Sequence, residues 1–316
     1  MTSSIEKAAQ RLEQLRSAGV PLPETAPQGA AHVPPPAAHS HAGAVPAASS
    51  TPAVAPPPLV SKTVHIDLAA LDATVLVAPN APRSATTDQF RVIKRPLLDN
   101  ATGKGAALVE RGNLIMVTSA LPGEGKSFMA INLAMSMAME LNHTVMLVDA
   151  DVARPSVMQR LGLPPAPGLL DLLCDPSVSL SDVLLRTNID NLTLLPTGLP
   201  HPRATELLAS DAMAALLEDM GSRYSDRILV FDSPPLLLTT EARVLASHMG
   251  QVVVVVQAEK TLQSEVKHAL ATISDCPVRL LVLNQARSRG MGAYGYSYGY
   301  GYGHAASGGT ASAALA

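Results

Sequence analysis

Six short apolar runs, LIMVTS, TVMLVDAD, LTLLP, RILVFDSPP, QVVVVVQA and VRLLVLNQ, recur between Leu114 and Gln285. Near-continuous apolar strands must be buried on both faces, and a parallel sheet covered by helices on each side is the architecture that does this. Helix-patterned segments lie between them: SFMAINLAMSMAMEL, ATELLASDAMAALLEDM, EARVLASHM and LQSEVKHALATI. The expected fold class is therefore α/β, doubly wound, with a mostly parallel twisted sheet and helices on both faces. The chain has no Trp and only 3% aromatic residues against 47% hydrophobic, so aliphatic side chains and Met must fill the core. Met129, Met135, Met137 and Met139 are read as packing residues, not as a ligand surface.

Four regions follow from composition. Residues 1–19 predict a short amphipathic helix, with Ser3 and Glu6 at capping-box spacing, Ile5, Ala8, Ala9, Leu12 and Leu15 at helical intervals, and Gly19 as the stop. It reads either as a docking helix for another protein or as a weak solvated helix. Residues 20–63 are a Pro/Ala-rich disordered linker, in which His32, His39 and His41 are incidental. Residues 64–288 form the globular domain, opening with a helix over TTDQFRVIKRPLL that Pro96 bends or ends and whose basic residues form a wet face. Residues 289–316 are a Gly/Tyr-rich flexible tail, where YGYSYGYGYG carries five of the six tyrosines.

A formal charge of -3 and the absence of any dense basic patch argue against nucleic acid as a partner. Cys174 and Cys276 are too few for a disulfide framework and lack metal spacing, which points to a reducing, cytoplasmic compartment. The first residues lack the basic end and apolar run of a secretory signal, and VVVVV is too short to span a bilayer. Direct membrane insertion is not expected; attachment at the inner membrane would be peripheral, through a partner.

The chemistry concentrates at ALPGEGKS, Ala120 to Ser127, between the first apolar run and its helix. A chain turning through Gly123 and Gly125 into a helix aims several backbone N–H groups at one point, and the helix N-terminus adds favourable partial charge. This is a phosphate cradle, a P-loop in which Lys126 reaches the outer phosphates and Ser127 holds Mg²⁺. Ala120 replaces the usual first glycine. Asp149, Asp151 and Asp232 end two further apolar runs, where open α/β sheets bind ligands. Three carboxylates beside one phosphate site supply hard oxygens for Mg²⁺ and a base or orienting group for an acceptor.

The set LPGEGKS, LVDADVARPS and VFDSPPLL, followed by a terminal tyrosine cluster, resembles the bacterial tyrosine kinases of exopolysaccharide systems, which use a MinD/ParA-like P-loop NTPase fold. SSIEKAAQRLEQLRSAG, FRVIKRPLL, HPRATELLAS and VLNQ resemble, more narrowly, the stand-alone autokinases of exosortase and PEP-CTERM loci. The resemblance implies ATP and Mg²⁺ as cofactors. It places Pro122, Gly123, Glu124, Gly125, Lys126, Ser127, Phe128 and Arg154 at the nucleotide and Ser127, Asp149 and Asp232 at the metal, and makes Lys126, Asp149, Asp151 and Asp232 catalytic, with Asp149 as base or orienter. It implies phosphorylation of Tyr294, Tyr296, Tyr298, Tyr300 and Tyr302, in trans. Asp88, Arg91 and Lys94, with Arg95 beside them, match a Glu-x-x-Arg-x-x-Arg self-association pattern in charge, though Arg and Lys differ in geometry. A transmembrane chain-length determinant of the Wzz/Wzc type is the implied activator, and control of exopolysaccharide synthesis or export the implied role. Two alternatives stay open: a MinD/ParA-type regulatory ATPase, whose extra lysine is replaced here by Leu121, and a nucleotide-binding adaptor of a polysaccharide export complex without kinase activity.

Overall fold

The computed structural model describes residues 62–71, 77–78, 84–223 and 227–286. The helix expected at 1–19, nearly all of the 20–63 linker and the tyrosine cluster lie outside these residues. Eight strands form one sheet: β1 (Lys62–Val64), β2 (Leu114–Ser119), β3 (Thr144–Asp149), β4 (Leu185–Thr187), β5 (Leu192–Leu195), β6 (Arg227–Asp232), β7 (Gln251–Gln257) and β8 (Val278–Asn284). Their spatial order is β1-β4-β5-β3-β6-β2-β7-β8. The run from β5 to β8 is parallel throughout. β4 joins β5 antiparallel and β1 joins β4 parallel, so these two short strands oppose the rest.

Alternate residues of each strand feed opposite cores, the period-two geometry of a pleated sheet. Ile115 and Val117 of β2, Val145 and Leu147 of β3, and Val253 and Val255 of β7 pack under α1 (Ala85–Ala101) and α2 (Lys126–Ala138). Leu114 and Met116, Met146 and Val148, and Val252 and Val254 pack under α7 (Asp211–Arg223), α8 (Glu241–Ser247) and α9 (Gln263–Ala271). Short helices α3 (Val157–Arg160), α4 (Leu169–Cys174), α5 (Leu180–Val183) and α6 (Ala204–Leu208) fill the connections. Met129, Met135 and Met137 are buried and Met139 packs against the same core, as the reading of the methionines anticipates.

The structure departs from expectation in four places. α1 runs on through Pro96. The amide missing at Pro96 would have bonded the carbonyl of Val92, a residue that is 74% exposed, so this turn of the helix lies on the solvent side. The long segment Ala204 to Met220 is two helices, because the Ser210 hydroxyl accepts from the amide of Met213 and starts a new one. β1 and β4, three residues each, carry no periodic signal, and β1 begins two residues before the expected domain boundary. Finally, Lys94 does not sit on the wet face: it is buried, donates to the carbonyl of Ser136 at 2.6 Å and pairs with Glu140 at 2.6 Å.

Candidate active site

β2 lies between β6 and β7, so its C-terminal end opens at the middle of the sheet. The chain leaves Ser119, turns through Gly123 (φ 87) and Gly125 (φ 99), and enters α2 at Lys126. Both glycines hold left-handed backbone that a side chain disfavours. At Gly125 an added Cβ would also run into the Asn284 side-chain amide, which would have to move. That amide donates to the carbonyl of Glu124 at 2.9 Å, which ties the loop to the end of β8.

Glu124 itself is buried and points away from the cradle. Its carboxylate accepts from the amide of Leu121 at 2.7 Å and from the Thr261 hydroxyl. Its part at the site is to brace the loop, and its side chain does not line the cleft.

Lys126 is the electrostatic centre. Its ammonium lies 2.6 Å from Asp151 and 3.4 Å from Asp232 and donates to the Ser127 hydroxyl at 3.3 Å. Burial opposes its charge, but Asp232, Asp151 and Asp149 outweigh burial and raise its pKa above the ordinary value. Asp151 is fixed by the amide of Arg154, which donates to Oδ1 at 3.0 Å. Asp149 accepts from the amides of Ser156 and Val157 through Oδ2, at 3.1 and 3.0 Å.

Asp149 and Asp232 stand opposite each other on adjacent strands, 1% and 0% exposed. Asp149 Oδ1 and Asp232 Oδ2 are buried without a hydrogen-bond partner. Burial, reinforced by the charge of Asp232, raises the pKa of Asp149 to about 7. Burial also raises Asp232, with Lys126 opposing it. Two orphaned carboxylate oxygens beside a lysine and a hydroxyl are costly unless something positively charged meets them. Magnesium fits this donor set, since it takes one or two carboxylates and fills its octahedron with water and phosphate oxygens. Among the described residues no three His, Cys, Asp or Glu form a metal cluster.

Above this floor opens a cleft of about 610 Å³. Of the residues expected at the nucleotide, Pro122, Gly123, Gly125, Lys126, Ser127, Phe128 and Arg154 line it, and so does Asp151. Asp149 and Asp232 lie beneath it and are not part of its wall. Sequence reasoning missed Arg160, Thr239 and Asn284, which also line the cleft. Asn284 obeys the strand-end rule that singled out the aspartates, at the end of β8. The expected self-association residues sit on α1, away from this cleft. Arg91 pairs with Asp88 at 2.8 Å on the exposed side, and Arg95 approaches Asp99 at 3.6 Å.

A parallel sheet whose central strand feeds a glycine turn, a lysine and a helix N-terminus, with aspartates ending β6 and β3, the next two strands on one side of it, defines a P-loop NTPase domain. No protein-family model matches the chain. The tyrosine-protein kinase YwqD of Bacillus subtilis is 30% identical over 206 residues, spanning 65% of this chain and 83% of that protein. The tyrosine-protein kinase wzc of Salmonella typhimurium is 29% identical over 166 residues, 52% of this chain but 22% of the longer relative. The crystal structure of the chimerical protein CapA2B2 superposes with a TM-score of 0.56 at 28% identity, covering 70% of this chain and 93% of that one. The chain belongs to the bacterial tyrosine-protein kinases.

Proposed function

We propose that this tyrosine kinase is an ATP- and Mg²⁺-dependent autokinase whose acceptor is its own cluster Tyr294, Tyr296, Tyr298, Tyr300 and Tyr302, presented to a neighbouring copy. The observation that carries the reading is the position of Lys126, held between Asp151 and Asp232 at the mouth of α2. A nucleotide polyphosphate entering the cradle meets the amides of the glycine turn and draws the ammonium away from Asp151. Arg154 and Phe128 line the same cleft. Ser127, Asp149 and Asp232 would hold the magnesium ion, which neutralises phosphate charge when bound.

Little covalent work falls to the protein in phosphoryl transfer, so the remaining task is to orient the phenol and receive its proton. Two carboxylates compete for that role. Asp151 has the better position, in the cleft wall, whereas burial raises the pKa of Asp149 to about 7. The resemblance implies Asp149, and the pH dependence of the Asp149→Asn and Asp151→Asn variants separates the two.

The tail lies outside the described residues; its case rests on composition, five tyrosines alternating with Gly or Ser. Asp88, Arg91 and Arg95 on the outer face of α1 are the proposed contacts between copies, while the ammonium of Lys94 is already committed inside its own chain. No helix among the described residues is long and apolar enough to cross a membrane. We place the kinase in the cytoplasm, at the inner membrane through a transmembrane chain-length determinant, regulating exopolysaccharide synthesis or export, and align it with the stand-alone exosortase-associated autokinases.

The test is incubation of the purified protein with Mg²⁺ and ATP beside Lys126→Met and Asp149→Asn variants, with phosphotyrosine mapped by mass spectrometry. Phosphate on Tyr294 to Tyr302 in the parent alone is expected. ATP turnover without phosphotyrosine, even with the membrane activator added, would instead favour a regulatory ATPase.

A further inference from the structure

Strand β8 ends the sheet: it pairs with β7 on one side and with no described strand on the other. Its exposure alternates along all seven residues. Leu280 and Val282 pack on the core under α1 and α2. Arg279, Leu281 and Leu283 turn to the opposite face, where their register partners in β7 are Val252, Val254 and Val256. α9 contributes Ala269 and Leu270 to the core over β7 on that face, yet Leu281 and Leu283 remain 54% and 63% exposed. A seven-residue edge with one uncovered apolar face is a liability that proteins manage by shortening, charging or covering the strand. Here Arg279 is the only charged residue of β8.

The chain that follows supplies a cover of the right period. Thirty residues, Arg287 to Ala316, continue beyond the described chain from a point three residues past Asn284. They contain YGYSYGYGYG, in which every second residue is tyrosine and the residues between are Gly or Ser. Period two is the period of a strand, and as a strand this segment has all its phenols on one face. Gln285, at φ 58, already turns the backbone off the line of β8, and Gly290 and Gly292 suit a reversal. In an antiparallel pairing reached by a turn through residues 285–293, Tyr294 would stand opposite Leu283, Tyr296 opposite Leu281 and Tyr298 opposite Arg279, on the uncovered face.

We infer that the unphosphorylated tyrosine tail folds back as an antiparallel ninth strand on β8, its rings covering Leu281 and Leu283, and that phosphorylation releases it. The attraction combines edge hydrogen bonds with aromatic burial, the two components of strand addition to an open sheet edge. Glycine at alternate positions weakens the strand, so the latch opens readily. Each phosphate adds roughly -1.5 to -2 charges, and phosphates two residues apart on one strand face lie about 7 Å from each other. Arg279 offsets one of them at most. A latched tail is withheld from a neighbour's cleft, so phosphorylation starts slowly and accelerates once the first phosphates prevent return. The release half of the inference rests on the autokinase reading; the latch half does not.

Hydrogen exchange on the full chain separates the two halves. A Lys126→Met protein, which stays unphosphorylated, is compared with the same protein carrying Tyr294→Ser, Tyr296→Ser, Tyr298→Ser, Tyr300→Ser and Tyr302→Ser. Peptides spanning Arg279–Leu283 are expected to exchange about tenfold more slowly when the tyrosines are present, equivalent to about 1.4 kcal/mol. The exposed substitutions Leu281→Lys and Leu283→Lys together are expected to remove that difference and shorten the lag in phosphorylation of the otherwise wild-type chain. Equal exchange in the tyrosine and serine chains overturns the latch. So does protection that survives the serine substitutions and grows with protein concentration, which would assign the edge to a second copy. Autophosphorylated wild-type protein that keeps slow exchange overturns the release step, whereas wild-type protein with no phosphotyrosine counts against the autokinase reading and leaves the latch comparison intact.

Discussion

Asp149 and Asp232 are register partners on adjacent parallel strands, and each presents one buried carboxylate oxygen that no protein group satisfies. Two facing carboxylates in a dry floor hold protons that isolated ones would release. The pKa of about 7 at Asp149 makes its charge conditional on pH in the working range. As a base or a metal ligand it must be ionised, so at limiting Mg²⁺ phosphorylation is expected to fall as pH drops through about 7, and saturating Mg²⁺ is expected to move the fall to lower pH. In Asp149→Asn the residual rate should lose that dependence. A steep profile that persists in Asp149→Asn and disappears in Asp151→Asn would move the proton-accepting role to Asp151.

The same group bears on stability, with the opposite sign from an ordinary paired aspartate. Its folded value lies above its unfolded one, so it favours folding below the ordinary carboxylate range and opposes it progressively as pH rises to about 7. Asp149→Asn, in metal- and nucleotide-free buffer at pH 8, should therefore raise stability on the order of 1 kcal/mol, about 2–4 °C in Tm for a domain of this size. Calorimetry with Mg²⁺ and nucleotide added should show the advantage shrinking, because the parent carboxylate then has a cation to meet.

Gly125 is constrained twice, by φ 99 and by the nearby Asn284 amide. Gly125→Ala costs about 1–2 kcal/mol for left-handed backbone alone and must also displace the side chain that holds the Glu124 carbonyl. Nucleotide affinity, followed with a fluorescent ATP analogue, should weaken at least about tenfold, equivalent to about 1.4 kcal/mol. Gly123→Ala meets no neighbouring atom and should be the milder of the two.

Lys94 and its neighbours on α1 should separate cleanly. Lys94→Ala strands a buried carbonyl at Ser136 and removes the partner of Glu140, a loss of roughly 1–3 kcal/mol by denaturant titration. Arg91→Ala and Arg95→Ala change exposed side chains and should stay within about 0.5 kcal/mol. Their effect is expected in sedimentation, as weaker self-association; unchanged sedimentation in both would remove α1 as the contact between copies.

The parallel body of the sheet was readable because each of its strands is an aliphatic run bounded by polar turns, and burial on both faces leaves that signature in the residues themselves. The P-loop and the three aspartates were equally readable, since glycine geometry and strand-end carboxylates are local properties. What escaped depends on distant partners. Nothing near Lys94 announces that its ammonium will meet a carbonyl 42 residues further on. Nothing near Glu124 announces that its carboxylate will bond Thr261, which is 137 residues away. Ser210 did carry a local signal, a cap residue followed by Asp211, which the apolar periodicity of its surroundings obscured.

The end of β8 has one more consequence. Asn284 and Gln285 line the catalytic cleft, so the chain that bears the phenols departs from the rim of the site. Tyr294 to Tyr302 are tethered 10 to 18 residues from that rim, a contour of roughly 33–60 Å when extended. A tether of this length would supply an effective concentration on the order of millimolar, to the parent cleft and to that of any copy held alongside. On the autokinase proposal, an acceptor delivered at that concentration would need almost no intrinsic affinity, so a segment of little beyond tyrosine and glycine would suffice.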